Sequence, residues 1–420
     1  MSAFDKVIGY EDIKQELLMV CDVMKNAGKY SSLGVTTPKG VLLHGVPGVG
    51  KTLMASCVIE ESGRPAFTVR KDRSDGDFVN TIKETFEKAK EAAPSIVFLD
   101  DIDKFANEDR YHRDAEEYVT VQSCIDSCAD CEVFALATAN DTDYLPDSLL
   151  RAGRFDKVIH MDAPVDEDAV KIIGHFLKSK AVVGDVDAYE IARLLDGRSC
   201  AALESAINEA GIYAAYAGRE KICQNDIIDA CLRVMFDAPK SVFPKKENEL
   251  RTVAIHEAGH ALVAEILDPG SVNLVSVCGY CGDTGGVTSV KKPDGYYYSK
   301  ELMEHRVIGI LGGKAATELV DGVADTGANS DIHRAFNIVA RFVDNYCAYG
   351  FEAFERNEAS EFLREKKDRM VTSEVDGYYR RAKRIIAENR ALFDKIVCEL
   401  IKRKTLTCRD IARIKGDIAA

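Results

Sequence analysis

The octapeptide Gly45-Val46-Pro47-Gly48-Val49-Gly50-Lys51-Thr52 stands between the apolar run GVLLHG and the helical LMASCVIEE. It satisfies GxxxxGK[ST], in which glycines let successive backbone N–H groups close around a phosphate at a helix N-terminus. That arrangement needs a strand that ends at the loop and a helix that begins there. The segment therefore predicts an α/β domain built on a buried parallel sheet. Four further apolar runs, PAFTV, SIVFLDD, VFALATAN and DKVIHMD, alternate with helical patterns as far as residue 163 and read as its other strands.

The pattern changes twice along the 420 residues, a length that accommodates two or three cores. From 164 to 238 strands give way to helices such as ALESAINEAGIYAAYAG, which predicts a helical lid after an α/β core over 1–163. The segment DAPKSVFPKKENE breaks the periodicity and predicts a linker at 239–248. Beyond it, 249–420 reads as a mainly helical domain, opening with LRTVAIHEAGHALVAEIL and followed by a small strand pair, VNLVSVCGY and GGVTSV.

Charge narrows the partners. With 55 Lys and Arg against 69 Asp and Glu, the net charge of −14 leaves no basic footprint for a nucleic-acid backbone. The thirteen Cys stand mostly alone among apolar neighbours, and the pairs Cys128/Cys131 and Cys278/Cys281 would have to meet in space to make a zinc ribbon. Those features predict a reducing, cytoplasmic setting. The opening MSAFDKVIGYEDIK has no signal-peptide pattern, and no uninterrupted apolar stretch of about 18 residues predicts a membrane segment.

Within the first domain, Lys51 is expected to supply charge to the β/γ oxygens of ATP and Thr52 to ligate Mg²⁺. SIVFLDDID delivers Asp100 to hold hydrated Mg²⁺ and Asp101 to polarise the attacking water. VFALATAN ends at Asn140, placed to touch the γ-phosphate or its water, and LLRAGRFD contributes Arg151 and Arg154. Two arginines after the core predict fingers that reach a neighbouring subunit's site, which a closed ring satisfies for every subunit.

The second domain carries His256-Glu257-Ala258-Gly259-His260 on a helix, so two imidazoles at i and i+4 share one face. Two His with a carboxylate favour Zn²⁺, and Glu257 is the expected base for a water that attacks a scissile carbonyl. Asp331, in DTGANSDIHRAF, is the preferred third ligand. Spacing alone leaves His333 and Glu318 open.

In order, FDKVIGYEDIK, GVPGVGKT, LLRAGRFD, INEAG, HEAGH, LGGKAATEL and TGANSDIHRA resemble the FtsH-type AAA+ zinc metalloproteases over nearly the whole chain. The resemblance implies zinc held by His256, His260 and Asp331. It also implies a hexameric ring that unfolds proteins with ATP and degrades them in an inner chamber. Three departures carry their own expectations. The family's usual N-terminal membrane segment has no counterpart here, which implies a soluble relative. The family's Asp-Glu pair reads Asp100-Asp101, which retracts the carboxylate by ~1.5 Å and predicts slow hydrolysis. The family's aromatic pore motif falls on Ser74-Asp75-Gly76, with Phe78 as the nearest aromatic substitute.

Overall fold

A computed structural model describes residues 2–71, 77–106, 115–128, 131–184, 186–237, 246–279, 285–291, 297–322, 327–351 and 360–419. The chain divides into two compact units, Met1–Ala188 with Gly197–Ile227, and Tyr189–Asp196 with Ile228–Ala420. Most of the expected linker lies outside the described residues.

The first half runs α1 (Glu11–Lys25), α2 (Ala27–Ser31), β1 (Gly40–His44), α3 (Lys51–Ser62), β2 (Ala66–Val69), α4 (Phe78–Glu91), β3 (Ser95–Leu99), α5 (Ala115–Ser127), β4 (Val133–Ala139), β5 (Lys157–His160) and α6 (Asp166–Lys178). The helices α7 (Ala188–Leu194), α8 (Cys200–Tyr216) and α9 (Gln224–Phe236) follow. The five strands form one parallel sheet of order β2-β3-β4-β1-β5. Hydrophobicity sorts the strands by position. SIVFL and VFALATA are buried at every residue and lie inside the sheet, as unbroken apolar runs covered on both faces must. The edge strands β2 and β5 keep exposed positions. Leu42, Val97, Leu99 and Ala135 pack on one face with Phe86 and Phe105, and Val41, Leu43, Ile96 and Leu136 on the other with Leu17 and Met54.

The second half runs α10 (Glu247–Leu267), β6 (Val272–Ser276), β7 (Val287–Val290), α11 (Lys300–Ile310), α12 (Gly312–Asp321), α13 (Asn329–Asp344), α14 (Glu361–Glu388), α15 (Arg390–Arg403), β8 (Thr405–Thr407) and α16 (Cys408–Ala419). The α/β first half and mainly helical second half agree with the sequence reading. One element was not anticipated: beyond the expected strand pair, β8 pairs antiparallel with β6 and makes a sheet of order β7-β6-β8. A three-residue strand is too short to announce itself by alternation. It leaves β7 as an edge strand beside α10.

The helix α10 is the centre of this unit, with Ala254, Ile255, Ala258, Ala261, Leu262 and Val263 in its core. Its closest neighbour is α12, and the crossing is backbone to backbone. A Cβ at Gly312 would stand 2.6 Å from the Gly259 carbonyl oxygen, and one at Gly259 would overlap the Gly312 carbonyl. Glycine is required at both positions by this approach rather than by backbone torsion.

Candidate functional site

The loop between β1 and α3 is shaped by glycines with positive φ: Gly45 at 148°, Gly48 at 82° and Gly50 at 98°. Gly50 caps α3, so the first N–H groups of that helix open onto the loop. Lys51 is 6% exposed, and its ammonium donates to the carbonyls of Gly45 (2.7 Å) and Val46 (3.1 Å) and to Asn140 Oδ1 (2.9 Å). Burial pushes the Lys51 pKa down, against the pull of Asp101, Asp103 and Asp100. All three ammonium protons have acceptors, so the lysine is held ready over the loop.

Asp100, at the end of β3, accepts at Oδ1 from Thr138 (2.8 Å) and Thr52 (3.3 Å). The neighbouring oxygens of Thr52 and Asp100 form a hard donor set of the kind Mg²⁺ prefers. Asp101 takes a left-handed backbone conformation (φ 53°), its N–H donates to Thr138 Oγ1 (2.9 Å), and its Oδ2 pairs with Lys104 at 2.6 Å. Thus Lys51, Thr52, Asp100, Asp101 and Asn140 converge at the ends of β1, β3 and β4. The two arginines differ from each other. Arg151 is exposed, whereas Arg154 is clamped to Asp126 by Nε (2.9 Å) and Nη2 (2.7 Å) and also donates to the Ser148 carbonyl. Ser74, Asp75 and Gly76 lie outside the described residues. Phe78, 5% exposed, packs edge-to-face on Phe105 at 5.2 Å and is a core residue, not a projecting aromatic.

In the second unit, His256 Nε2 and His260 Nε2 are 3.0 Å apart, and each is 3.2 Å from Asp331 Oδ2. No other group of three His, Cys, Asp or Glu able to hold a metal occurs among the described residues. Four ligands at ~2.0 Å around tetrahedral zinc are spaced by about 3.3 Å, so this triangle fits zinc. Asp331 stands in the first turn of α13, where a carboxylate is favoured. Burial alone would raise its pKa, but His256 and His260 outweigh it and hold the carboxyl far below the usual range. For His260, burial is overcome by Asp331, Glu257 and the Gly309 carbonyl, which raise its pKa. The Gly309 oxygen, 2.9 Å from His260 Nδ1, suits an Nδ1–H donor and leaves Nε2 as the ligand atom.

The rivals for third ligand are elsewhere. His333 is exposed, and Glu318 is bound to Lys383 at 2.6 Å, to Lys314 at 3.5 Å and to the Tyr379 hydroxyl. Glu257 is 7% exposed and accepts at Oε2 from Thr288 Oγ1 (2.7 Å), a residue of β7. Glu257, Thr288, His256, His260 and Asp331 line a cleft of about 750 Å³.

Four contributors escaped the sequence reading. Thr288 fixes Glu257, Gly309 orients His260, and a Cβ at Gly286 would stand 2.8 Å from Glu257 Oε1. A Cβ at Gly313 would stand 2.6 Å from His256 Nε2, so this glycine keeps room for both imidazoles. The Gly312-Gly313 pair was a visible signal in LGGKAATEL; Thr288 offered none.

Comparison with known proteins covers both halves of the chain. Residues 41–163 match the family described as "ATPase family associated with various cellular activities (AAA)", and residues 243–414 match Peptidase family M41. The chain is 32% identical to the ATP-dependent zinc metalloprotease FtsH of Caldicellulosiruptor bescii, over 98% of this chain and 71% of that protein. The chain belongs to the FtsH family. The FtsH of Bacillus subtilis is 31% identical over 98% of this chain and 69% of its own length. FtsH 2 of Thermoanaerobacter sp. is 29% identical, with 97% and 82% covered. Among the described residues, no helix is long and apolar enough to cross a membrane.

Proposed function

We infer that this chain is an ATP-dependent zinc metalloendopeptidase that unfolds and degrades proteins as a ring of identical subunits, a hexamer in this reading. The observation that carries it is the triangle of His256, His260 and Asp331 with Glu257 beside it, in a chain that also holds a preformed phosphate loop. Residues 1–163 are read as the nucleotide-binding core, 164–238 as its lid, 239–248 as linker and 249–420 as the peptidase. Unpaired cysteines among the described residues and the net charge of −14 support a cytoplasmic setting.

His256, His260 and Asp331 would hold zinc, which when bound would supply Lewis acidity to the attacking water and the scissile carbonyl. Glu257 takes the proton of that water and returns it to the departing amine. The Thr288 hydroxyl fixes one carboxylate oxygen during both transfers. Among the described residues β7 is an edge strand next to Glu257, along which an extended substrate would pair. In the ATPase, the backbone of Gly45, Val46, Pro47, Gly48, Val49 and Gly50 cradles the phosphates and Lys51 turns from its carbonyls to the β/γ oxygens. Thr52 and Asp100 hold Mg²⁺, Asp101 orients the water, and Asn140 senses the γ-phosphate. Exposed Arg151 is free to reach a neighbouring subunit; Arg154 must first exchange Asp126 for a phosphate.

A second reading, a peptidase whose ATPase only gates or assembles the ring, is favoured by the Lys104 pairing of Asp101 and by the burial of Phe78. One experiment separates them. A loosely folded protein is incubated with zinc-loaded protein and ATP, a non-hydrolysable analogue or no nucleotide, with Glu257→Gln as blank. Degradation that requires hydrolysable ATP supports the first reading, equal degradation with the analogue supports the second, and cleavage that persists in the blank refutes both.

A further inference from the structure

Several basic residues in the second unit have acidic partners: Arg251 pairs with Asp321, Arg381 with Glu304, Lys383 with Glu318, and Lys415 with Glu265. Two basic residues of the cleft do not. Arg306 of α11 and Arg334 of α13 both line it, both keep solvent-accessible surface although Arg334 is also partly desolvated, and neither has an ion pair among the described residues. Their place in the cleft is what sets them apart from other basic residues of the unit.

Their placement ties them to the metal triangle. Arg334 follows Asp331 by three residues on α13, so the two share a helix face. Arg306 precedes Gly309, the acceptor for His260, by three residues on α11. The two guanidiniums influence each other: burial and then Arg306 oppose the charge of Arg334, and Asp331 favours it. Asp331 cannot serve as a dedicated counter-ion, because its Oδ2 is already shared between His256 and His260. Lys291 and His305 also line the cleft, against the acids Glu257, Asp268 and Asp331.

We propose that Arg306 and Arg334 form a carboxylate-binding wall of the cleavage cleft, so that segments presenting a carboxylate beside the scissile bond are preferred substrates. The proposal rests on the peptidase reading above. Guanidinium is the group best shaped for this task, since its planar fork accepts a carboxylate in two parallel hydrogen bonds. The carboxylate can come from an Asp or Glu side chain or from a chain terminus; both share the recognition chemistry.

The test uses full-length protein and fluorescent peptides in three matched forms: internal Asp with amidated C-terminus, internal Asn with amidated C-terminus, and internal Asn with free C-terminus. Binding is read by anisotropy with Glu257→Gln protein, and cleavage by mass spectrometry with the zinc-loaded wild type. A preference on the order of tenfold for the Asp peptide over its Asn twin assigns the wall to acidic side chains. The same preference for the free terminus assigns it to terminal carboxylates. Either preference should shrink to about unity in Arg306→Ala and Arg334→Ala, survive in part in Arg334→Lys, and turn toward Lys-containing peptides in Arg306→Glu. Equal binding and cleavage of all three peptides by wild type overturns the proposal while leaving the peptidase reading intact. Absence of cleavage with preserved discrimination in binding refutes the peptidase reading instead.

Discussion

The two sites solve opposite electrostatic problems. At the phosphate loop the mobile charge is a cation, and Lys51 has acceptors for all its protons from Gly45, Val46 and Asn140. At the peptidase centre the facing atoms are two imidazole nitrogens and a carboxylate oxygen, all within 3.2 Å. The first arrangement is complete without its ligand. The second has an excess of lone pairs that a cation or shared protons must satisfy. Metal removal should therefore leave facing lone pairs unsatisfied in its unit, whereas nucleotide removal leaves the Lys51 protons paired.

The sharpest way to break this contrast is at Glu257. It is held by Thr288 and is not one of the three facing atoms, so Glu257→Gln should cut peptide cleavage by roughly 10²–10⁴-fold. Zinc content by atomic absorption and ATP turnover should be unchanged. Loss of zinc from this variant would mean that Glu257 helps hold the ion.

Metal removal comes next. At a hundredfold excess over its dissociation constant a bound ion adds about 2.7 kcal/mol, or roughly 5–10 °C in melting temperature for a unit of this size. Calorimetry with chelator and with added zinc should show that shift in the peptidase transition only. Gly313→Ala should abolish it, because the new methyl would stand against His256 and His260. A zinc-dependent shift that survives Gly313→Ala would place the ion elsewhere.

These outcomes bear on what the sequence could reveal. The phosphate loop, Asp100 and Asn140 were legible because each sits at the end of a continuous apolar strand, and parallel strand order follows from that pattern. The histidine pair was legible through helical spacing. Asp331 was the preferred third ligand, but spacing could not decide it, because Asp331 is 75 residues from His256 and Glu318 stood on an equally good helix. Only the structure shows Glu318 committed to Lys383. The strand GGVTSV was legible but nothing in it singled out Thr288, and β8 left no trace, since a strand of three residues carries too little periodicity.

A smaller effect tests the nucleotide side of the contrast. Asp101 carries a carboxylate one methylene shorter than the family's usual glutamate and pairs with Lys104. Asp101→Glu should raise steady-state ATP hydrolysis about tenfold, and Lys104→Ala should raise it less. A fall in turnover for Asp101→Glu would show that the chain is adapted to the shorter side chain and that slow hydrolysis is not its consequence.

The smallest effect concerns the rejected ligand. Hydrogen bonds from Lys383 and Tyr379, with charge from Lys383 and Lys314, pull the Glu318 pKa from 4.5 down to about 2. A depressed carboxyl stabilises the fold fully above its unfolded pKa and ceases to do so as pH falls through its folded pKa. The contribution is therefore present above pH 4.5 and lost between 4.5 and about 2. Because the side chain is partly exposed, solvent screening keeps it to ~1 kcal/mol or less. Glu318→Gln should flatten the acid limb of the stability curve in that window and leave zinc affinity at neutral pH unchanged. A loss of zinc affinity in this variant would return Glu318 to the ligand set and undo the assignment of Asp331.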